Sequence, residues 1–192
     1  MSEQVSDVPD VETLISEIGE LRGKVAQLQE RVEQLDQLAH QDTLIDLPNR
    51  RGFTRALERL IDRVRRYDEK AAMLFVDLDG LKLINDSFGH AAGDEALIQV
   101  ARLLSSGVRK SDLVARLGGD EFGILLSHSD ETDAQETAAR LVDLIAGSDF
   151  THGGDPLPLS VAIGIGMIGS EDTPESVMAR ADEEMYRRKA AA

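Results

Sequence analysis

Arg116-Leu117-Gly118-Gly119-Asp120-Glu121-Phe122-Gly123 lies between two apolar runs, 113–117 and 122–126. Each run has the length and composition of a buried strand. Two glycines and two acids separate them, so the stretch reads as a hairpin whose turn uses glycine where the backbone takes positive φ. Alone, such a turn is an ordinary solvated loop, because turns favour these residue types. A second acidic strand end changes the reading. Phe75-Val76-Asp77-Leu78-Asp79 closes an apolar run over 71–78, and alternation puts Asp77 and Asp79 on one face. A fold that joins the two ends gathers Asp77, Asp120 and Glu121. Bare carboxylates at such a point repel and raise one another's pKa, and a divalent cation relieves that repulsion. Hard oxygen donors without His or Cys point to Mg²⁺ or Mn²⁺. Such an ion fills its shell with water and substrate phosphate. The constellation, with Lys82 nearby, therefore points to metal-dependent phosphoryl or nucleotidyl transfer.

Outward from the hairpin, helical and strand-like segments alternate. Residues 51–66 carry Phe53, Ala56, Leu57, Leu60, Ile61 and Val64 on one helical face. A short helix and turn follow at 83–90, then a longer helix at 93–107 with Ala96, Leu97, Val100, Leu103 and Leu104 inward. Beyond the hairpin, 131–146 reads as a helix and 157–167 as a strand. Pro174 opens a last helix in its first turn, carrying Val177, Met178, Ala181, Met185 and Tyr186. The alternation predicts an α/β sheet covered by helices; periodicity does not give the strand order.

Upstream, residues 1–9 are polar and read as disordered. From Val11 a heptad runs, with Val11, Ile18, Val25, Val32 and Ala39 at a and Leu14, Leu21, Leu28 and Leu35 at d. β-Branched a with Leu at d favours a parallel two-stranded coiled coil. In register, Glu17 faces Arg22, Arg31 faces Asp36, and Lys24 faces the neutral Gln29. The stripe is narrow, as a seam is; the other reading is an amphipathic helix folded on its own domain. Gly19 and Gly23 lie outside the seam and weaken the helix by about 1 kcal/mol each. Pro48-Asn49 then marks a turn. The expected division is residues 1–40 as a coiled-coil dimerisation and signalling helix and 41–192 as the catalytic domain.

The chain has 192 residues, 42 % of them hydrophobic and 4 % aromatic, so its core is built from aliphatic side chains. No cysteine is present, which excludes disulfides and thiolate metal sites and fits a reducing cytoplasm. Apolar runs fall far short of the ~20 residues that span a bilayer, and Met1-Ser2-Glu3-Gln4 does not begin a secretion signal. A formal charge of −15 repels nucleic acid and anionic lipid. Neither a nucleic-acid nor a membrane partner is expected, and an anionic ligand must be held by a local cationic pocket or by metal.

The motif GGDEF at 118–122, with its acidic partner strand, resembles the diguanylate cyclase (GGDEF) family, and the resemblance runs from about Asp42 to the C-terminus. His40 to Arg51 is similar to the family pattern DxLTGLxNRR, with Ile45 and Asp46 in place of Thr and Gly; if that glycine takes positive φ, Asp is among the better replacements. Asp77 to Asp86 is similar to DxDxFKxIND, with Leu81 in place of Phe. The resemblance implies a palm-like, mostly antiparallel sheet flanked by helices. It implies that two GTP molecules are joined into cyclic di-GMP with release of two pyrophosphates, by a homodimer held through the coiled coil. Asp77, the Leu78 carbonyl and Asp120 would bind metal, and Glu121 would complete the acidic site. Asp120 would help deprotonate the attacking 3′-hydroxyl. Lys82, Lys189 and the backbone N–H groups of Gly80 and Leu81 would meet phosphate, and Gly118 and Gly119 would border the substrate. Asp42 would pair with Arg116.

Asn85 and Asp94 match the family's guanine contacts, and His90 orders their loop. A carboxylate accepts from both N1 and N2 of guanine, which adenine cannot offer; without the resemblance, Asp94 reads first as an N-cap on the following helix. Arg109-Lys110-Ser111-Asp112 fits the family's RxxD inhibitory site, where Arg meets the guanine O6/N7 edge; RxxD alone is a common surface salt bridge, and its place just before the strand that leads to the hairpin favours product binding. Arg63 and Arg140 would supply a second product-binding surface. The family continues past YxxK to a phosphate-binding Arg, whereas Ala190-Ala191-Ala192 follows Lys189, which lowers the expected phosphate affinity. The alternative to an active cyclase is a degenerate domain that binds cyclic di-GMP or GTP and signals through its coiled coil.

Overall fold

The computed structural model describes residues 11–191, in two compact units that divide between Ala39 and His40. The polar stretch at 1–9 lies outside the described residues. Helix α1 (Val11–His40) makes up the described part of the first unit, and its last residue, His40, belongs to the second. Its seam positions from Val11 to Val32 are exposed, from 41 % at Leu14 to 70 % at Val11, and Ala39 is half-buried; the side chain of Leu35 lies outside the described residues. No helix among the described residues is long and apolar enough to cross a membrane.

In the second unit α2 (Arg50–Tyr67) starts at Asn49, whose side chain accepts hydrogen bonds from the Arg51 and Gly52 N–H groups. Strand β1 (Ala71–Leu78) leads to α3 (Leu81–Phe88) and α4 (His90–Ser106). The hairpin β2 (Leu113–Gly118) and β3 (Glu121–Ser127) follows, then α5 (Glu131–Ala146), opened by an Asp130/Asp133 capping box. A two-stranded ribbon, β4 (Thr151–His152) and β5 (Asp155–Pro156), precedes β6 (Val161–Met167) and α6 (Pro174–Ala191). The sheet runs β2-β3-β1-β6 with every neighbour antiparallel. β1 is apolar without a break over 71–76 because helices cover both its faces. Ala72, Leu74, Val76 and Leu78 point to the layer of α3, α4 and α5. Ala71, Met73 and Phe75 point to the layer of α2 and α6. The sheet is therefore the middle of three layers, as the palm-like reading requires.

α6 lies almost on the backbone of β6. A Cβ at Gly164 would stand 2.1 Å from the Ala181 carbonyl oxygen and 2.2 Å from the Met185 nitrogen, so glycine is what lets the helix approach.

Several expectations need correction. α4 begins at His90 rather than at 93, because Gly89, at φ 86°, breaks the chain sharply enough for a new helix to start at once. β6 is shorter than the apolar run 157–167; Leu157 and Leu159 are buried as loop residues. Tyr186 is 71 % exposed, since the buried Met185 turns its neighbour about 100° around the helix. Asp46 is not among the residues with positive φ, so the Gly-to-Asp exchange meets no left-handed backbone here. The β4–β5 ribbon, with Gly153 and Gly154 at its turn, was not foreseen.

Candidate active site

The β-ladder brings the two acidic strand ends together. Asp77 on β1 is the direct antiparallel partner of Glu121 on β3, which places their side chains on one face about 5 Å apart at Cβ. The Leu78 N–H donates to the Asp120 carbonyl at 3.0 Å, closing the ladder at the turn. Gly119 has φ 47°, which only glycine adopts readily, and this lets the chain reverse within the turn. On the other side, Asp79 N–H donates to the Ser160 carbonyl at 2.9 Å, and Ser160 Oγ donates to Asp79 Oδ2 at 2.9 Å.

Cations from the two helices of one layer meet this edge. Lys189, near the end of α6, bonds Asp77 and stands 3.4 Å from Asp79. Arg50, the first residue of α2, donates from Nη2 to Glu121 Oε2 at 3.0 Å and from Nε to the Leu117 carbonyl at 3.0 Å. Burial pushes the Glu121 carboxyl up; Arg50 opposes this, and Asp120, Asp182 and Asp77 add to it. The hydrogen bond to Asp77 holds the Lys189 ammonium above its ordinary range, against partial burial and with help from Asp79. The Asp120 carboxylate is partly exposed, with no hydrogen-bond partner among the described residues.

A clamp holds the turn from behind. Arg116 bonds Asp42 at 3.3 Å and donates to the Gly119 carbonyl from Nε at 3.1 Å and from Nη2 at 2.8 Å. Its own N–H donates to the Pro48 carbonyl at 2.9 Å. Asp42 Oδ1 also accepts from the Leu44 and Ile45 N–H groups. The segment before α2 is thus fastened to the acidic turn.

Asn85 and Asp94 are neighbours in space. A Cβ at Gly93 would stand 2.1 Å from Asn85 Oδ1, so glycine there admits the amide against α4, one residue from Asp94. Asp94 lies inside α4 with Gly89 at the cap position, which removes the N-cap reading and leaves its exposed carboxylate for another task. Leu81 is buried in the core, so it packs where the family has Phe. Gly80, at φ 71°, starts α3 without a side-chain cap, leaving the first N–H groups of that helix beside the acids. Lys82 and His90 are exposed at the starts of α3 and α4.

The RxxD stretch forms a compact turn. Asp112 accepts from the Arg109 N–H at 3.0 Å and from the Ser127 N–H at 3.3 Å, while the Arg109 side chain is exposed. Arg140 reaches the same loop, donating to the Gly107 carbonyl at 3.0 Å. Arg63 does not join them. It belongs to α2, across the sheet from α5, and pairs with Glu69 at 2.7 Å.

Among the described residues, no group of three or more His, Cys, Asp or Glu side chains stands ready to hold a metal ion. The donor set at the edge, Asp77, Asp120, Glu121 and the Leu78 carbonyl, is all hard oxygen and fits a Mg²⁺-like cation in chemistry, with Lys189 now sharing Asp77. The sequence reading missed Arg50 and Asp182. The arginine stands in plain view in Asn49-Arg50-Arg51, but its reach to β3 depends on how α2 lies on the sheet.

Residues 39–192 match the family described as diguanylate cyclase, GGDEF domain. The chain is 40 % identical over 157 residues to the response regulator PleD of Caulobacter vibrioides, covering 80 % of this chain and 35 % of PleD. It is 38 % identical over 174 residues to diguanylate cyclase TpbB of Pseudomonas aeruginosa, covering 90 % of this chain and 40 % of TpbB. The chain thus spans well under half the length of these curated relatives. The crystal structure of the coiled coil and GGDEF domain of DgcB from Caulobacter crescentus, in complex with c-di-GMP, has a similar fold, with TM-score 0.86, 23 % identity and coverage of 94 % of this chain and 96 % of that one.

Proposed function

The chain belongs to the GGDEF domain family, and from that premise we propose that it is a diguanylate cyclase joining two GTP molecules into cyclic di-GMP. One observation carries the reading: the Asp77–Glu121 cross-strand pair, closed by the Leu78–Asp120 hydrogen bond, sets the acids of both motifs on a single edge.

Guanine is read at Asn85 and Asp94, the carboxylate accepting from N1 and N2. The triphosphate lies over the start of α3, where the N–H groups of Gly80 and Leu81 donate to it and Lys82 adds charge. Lys189 turns from Asp77 to phosphate when the nucleotide arrives. Asp77, the Leu78 carbonyl, Asp120 and Glu121 would hold a divalent cation, Mg²⁺ or Mn²⁺, which would neutralise triphosphate charge and make the 3′-hydroxyl more acidic. The 3′-oxygen of one GTP bonds to the α-phosphorus of the other. The bond from that phosphorus to the bridging oxygen breaks, and pyrophosphate leaves with the electron pair. Asp120 takes the hydroxyl proton. A second such step closes the ring and releases the second pyrophosphate.

Each chain carries one half-site, so two must face each other. We place that pairing in α1, as a parallel coiled coil over residues 11–40, with the cyclase domain at 41–192. The exposed Val, Ile and Leu positions support it, as does the coiled coil named for the similarly folded DgcB. Product binds at Arg109 and Asp112, with Arg140 beside them, and slows the enzyme; Arg63, on the far side of the sheet, serves from another protomer. The cytoplasm, where GTP is made, is the proposed location.

A binding module that senses nucleotide is the second reading. The Lys189–Asp77 pair favours it, since an ammonium already neutralises the first acid. Incubation with GTP and Mg²⁺, followed by chromatography, separates the two. Cyclic di-GMP and pyrophosphate are expected in a 1:2 ratio, and GTP bound but unchanged would overturn the cyclase.

A further inference from the structure

Glu121 is crowded by negative charge: Asp77 opposes it across the ladder, Asp120 precedes it, and Asp182 approaches from α6. A carboxylate so placed keeps one orientation only if something holds it. Among the described residues the group that does so is Arg50, whose Nη2 donates to Glu121 Oε2 and whose Nε donates to the Leu117 carbonyl, both at 3.0 Å. The two acceptors lie on the two strands of the hairpin, on either side of the turn. One planar guanidinium therefore ties β2 to the side chain that begins β3, a task for a fork of fixed geometry rather than a point charge.

The base of that fork is firmly set. Asn49 caps α2 through its side chain, donates from Nδ2 to the Gln41 carbonyl at 3.0 Å, and donates from its N–H to the His40 carbonyl at 2.9 Å. One turn into the helix, the Phe53 ring lies against Gly123. A Cβ on that glycine would stand 2.7 Å from the ring, so α2 is keyed to β3 two residues beyond Glu121. The backbone of Arg50 is thereby held beside the turn, and its half-exposed side chain is directed by its two hydrogen bonds.

Resting on the cyclase reading above, we infer that Arg50 is a positioning residue for the reaction. It acts through Glu121 and the Leu117 carbonyl, fixing the carboxylate and the root of the turn against Asp77, and does not itself touch nucleotide. A residue that only stabilised the fold would change melting, and one that bound GTP would change KM; Arg50 changes kcat.

The test compares Arg50→Ala and Arg50→Lys with wild type. Both variants are expected to lose roughly 10- to 100-fold in kcat for cyclic di-GMP formation, with KM for GTP within about twofold and an unchanged circular dichroism spectrum. Lysine restores charge at the helix start but not the fork, so it does not rescue. Wild-type kcat in Arg50→Lys, or a loss confined to KM, overturns the inference. A readout independent of turnover is the Arg50 Nε–H signal by ¹⁵N NMR. Slow exchange with water, lost together with a shift of the signal in Glu121→Gln, supports the inference, whereas fast exchange in the wild-type protein overturns it. Wild-type protein that makes no cyclic di-GMP overturns the cyclase reading, and the NMR signal then decides by itself whether Arg50 holds Glu121.

Discussion

Two carboxylates facing each other across a β-ladder destabilise it unless each has a counter-charge. Here Lys189 serves Asp77 and Arg50 serves Glu121. Both pairs are partly solvated, so each adds little to stability; their consequence is orientation. Asp77→Asn and Asp120→Asn are each expected to reduce cyclic di-GMP formation by on the order of 10²-fold or more while leaving the fold intact. Rates near wild type in either variant, with Mg²⁺ still required, would remove these acids from the mechanism. At the proposed product site Arg109 is exposed while Asp112 is spent on its own turn. Arg109→Ala should weaken cyclic di-GMP binding by calorimetry and relieve inhibition; equal affinity in both proteins would count against the site.

Asp172 gives a residue-scale prediction on pH. It is partly buried, which works against ionisation, but hydrogen bonds from Arg180, the Gly169 N–H and Ser176 outweigh burial and hold its pKa below the ordinary 3.8. A depressed native pKa stabilises the fold above the unfolded-state value, and that contribution is lost as pH falls through the native value. Asp172→Ala should therefore cost about 1–3 kcal/mol at neutral pH. The difference from wild type should shrink as pH drops below about 4. Denaturant melts at pH 7 and pH 3 check this, and a constant difference would contradict it.

At the scale of elements, α6 is held by the absence of side chains beneath it. The helix delivers Lys189 to Asp77, and Gly164 sets how closely it lies on β6. Gly164→Val would push the helix off the strand at a cost of about 3 kcal/mol, and Lys189 would move away from the edge with it. A thermal melt within a degree or two of wild type would mean that α6 does not depend on this contact. The outer edge of β6 is covered by α6 as well. Glu184 accepts from the Ile165 N–H at 2.5 Å, and Arg180 donates to the Met167 carbonyl at 2.7 Å. Part of an edge that invites strand addition is thereby filled.

The whole molecule has a helix with an exposed apolar seam and a domain with half of the proposed site. Joining two nucleotides needs two halves, and tethering them raises their effective concentration. Ile18→Asp with Val25→Asp places charge where burial would strip its water. The double variant should be monomeric by light scattering and lose most activity at nanomolar protein. Activity should return as concentration rises, or when an unrelated parallel zipper is fused in the same heptad phase. A monomeric variant equally active per molecule at nanomolar concentration would show that α1 does not assemble the site.

The sequence by itself determined the elements and the kind of chemistry. Strand β1 and helix α5 are set by local composition alone, because the apolar run 71–76 and a helical stripe over 131–146 are legible without partners. The acids at 77, 79, 120 and 121 were visible as strand ends, and the heptad as a period. Tertiary structure decided what depends on distance between remote residues. The antiparallel order β2-β3-β1-β6 makes Asp77 and Glu121 partners, although they stand far apart in the chain. Asp94 could be a cap until Gly89 opened α4 earlier, and Arg50 was one arginine in a basic pair until α2 carried it to Glu121. Local sequence fixes a residue's dihedral preferences and its face, but the charge it will meet is set by register and by the packing of layers.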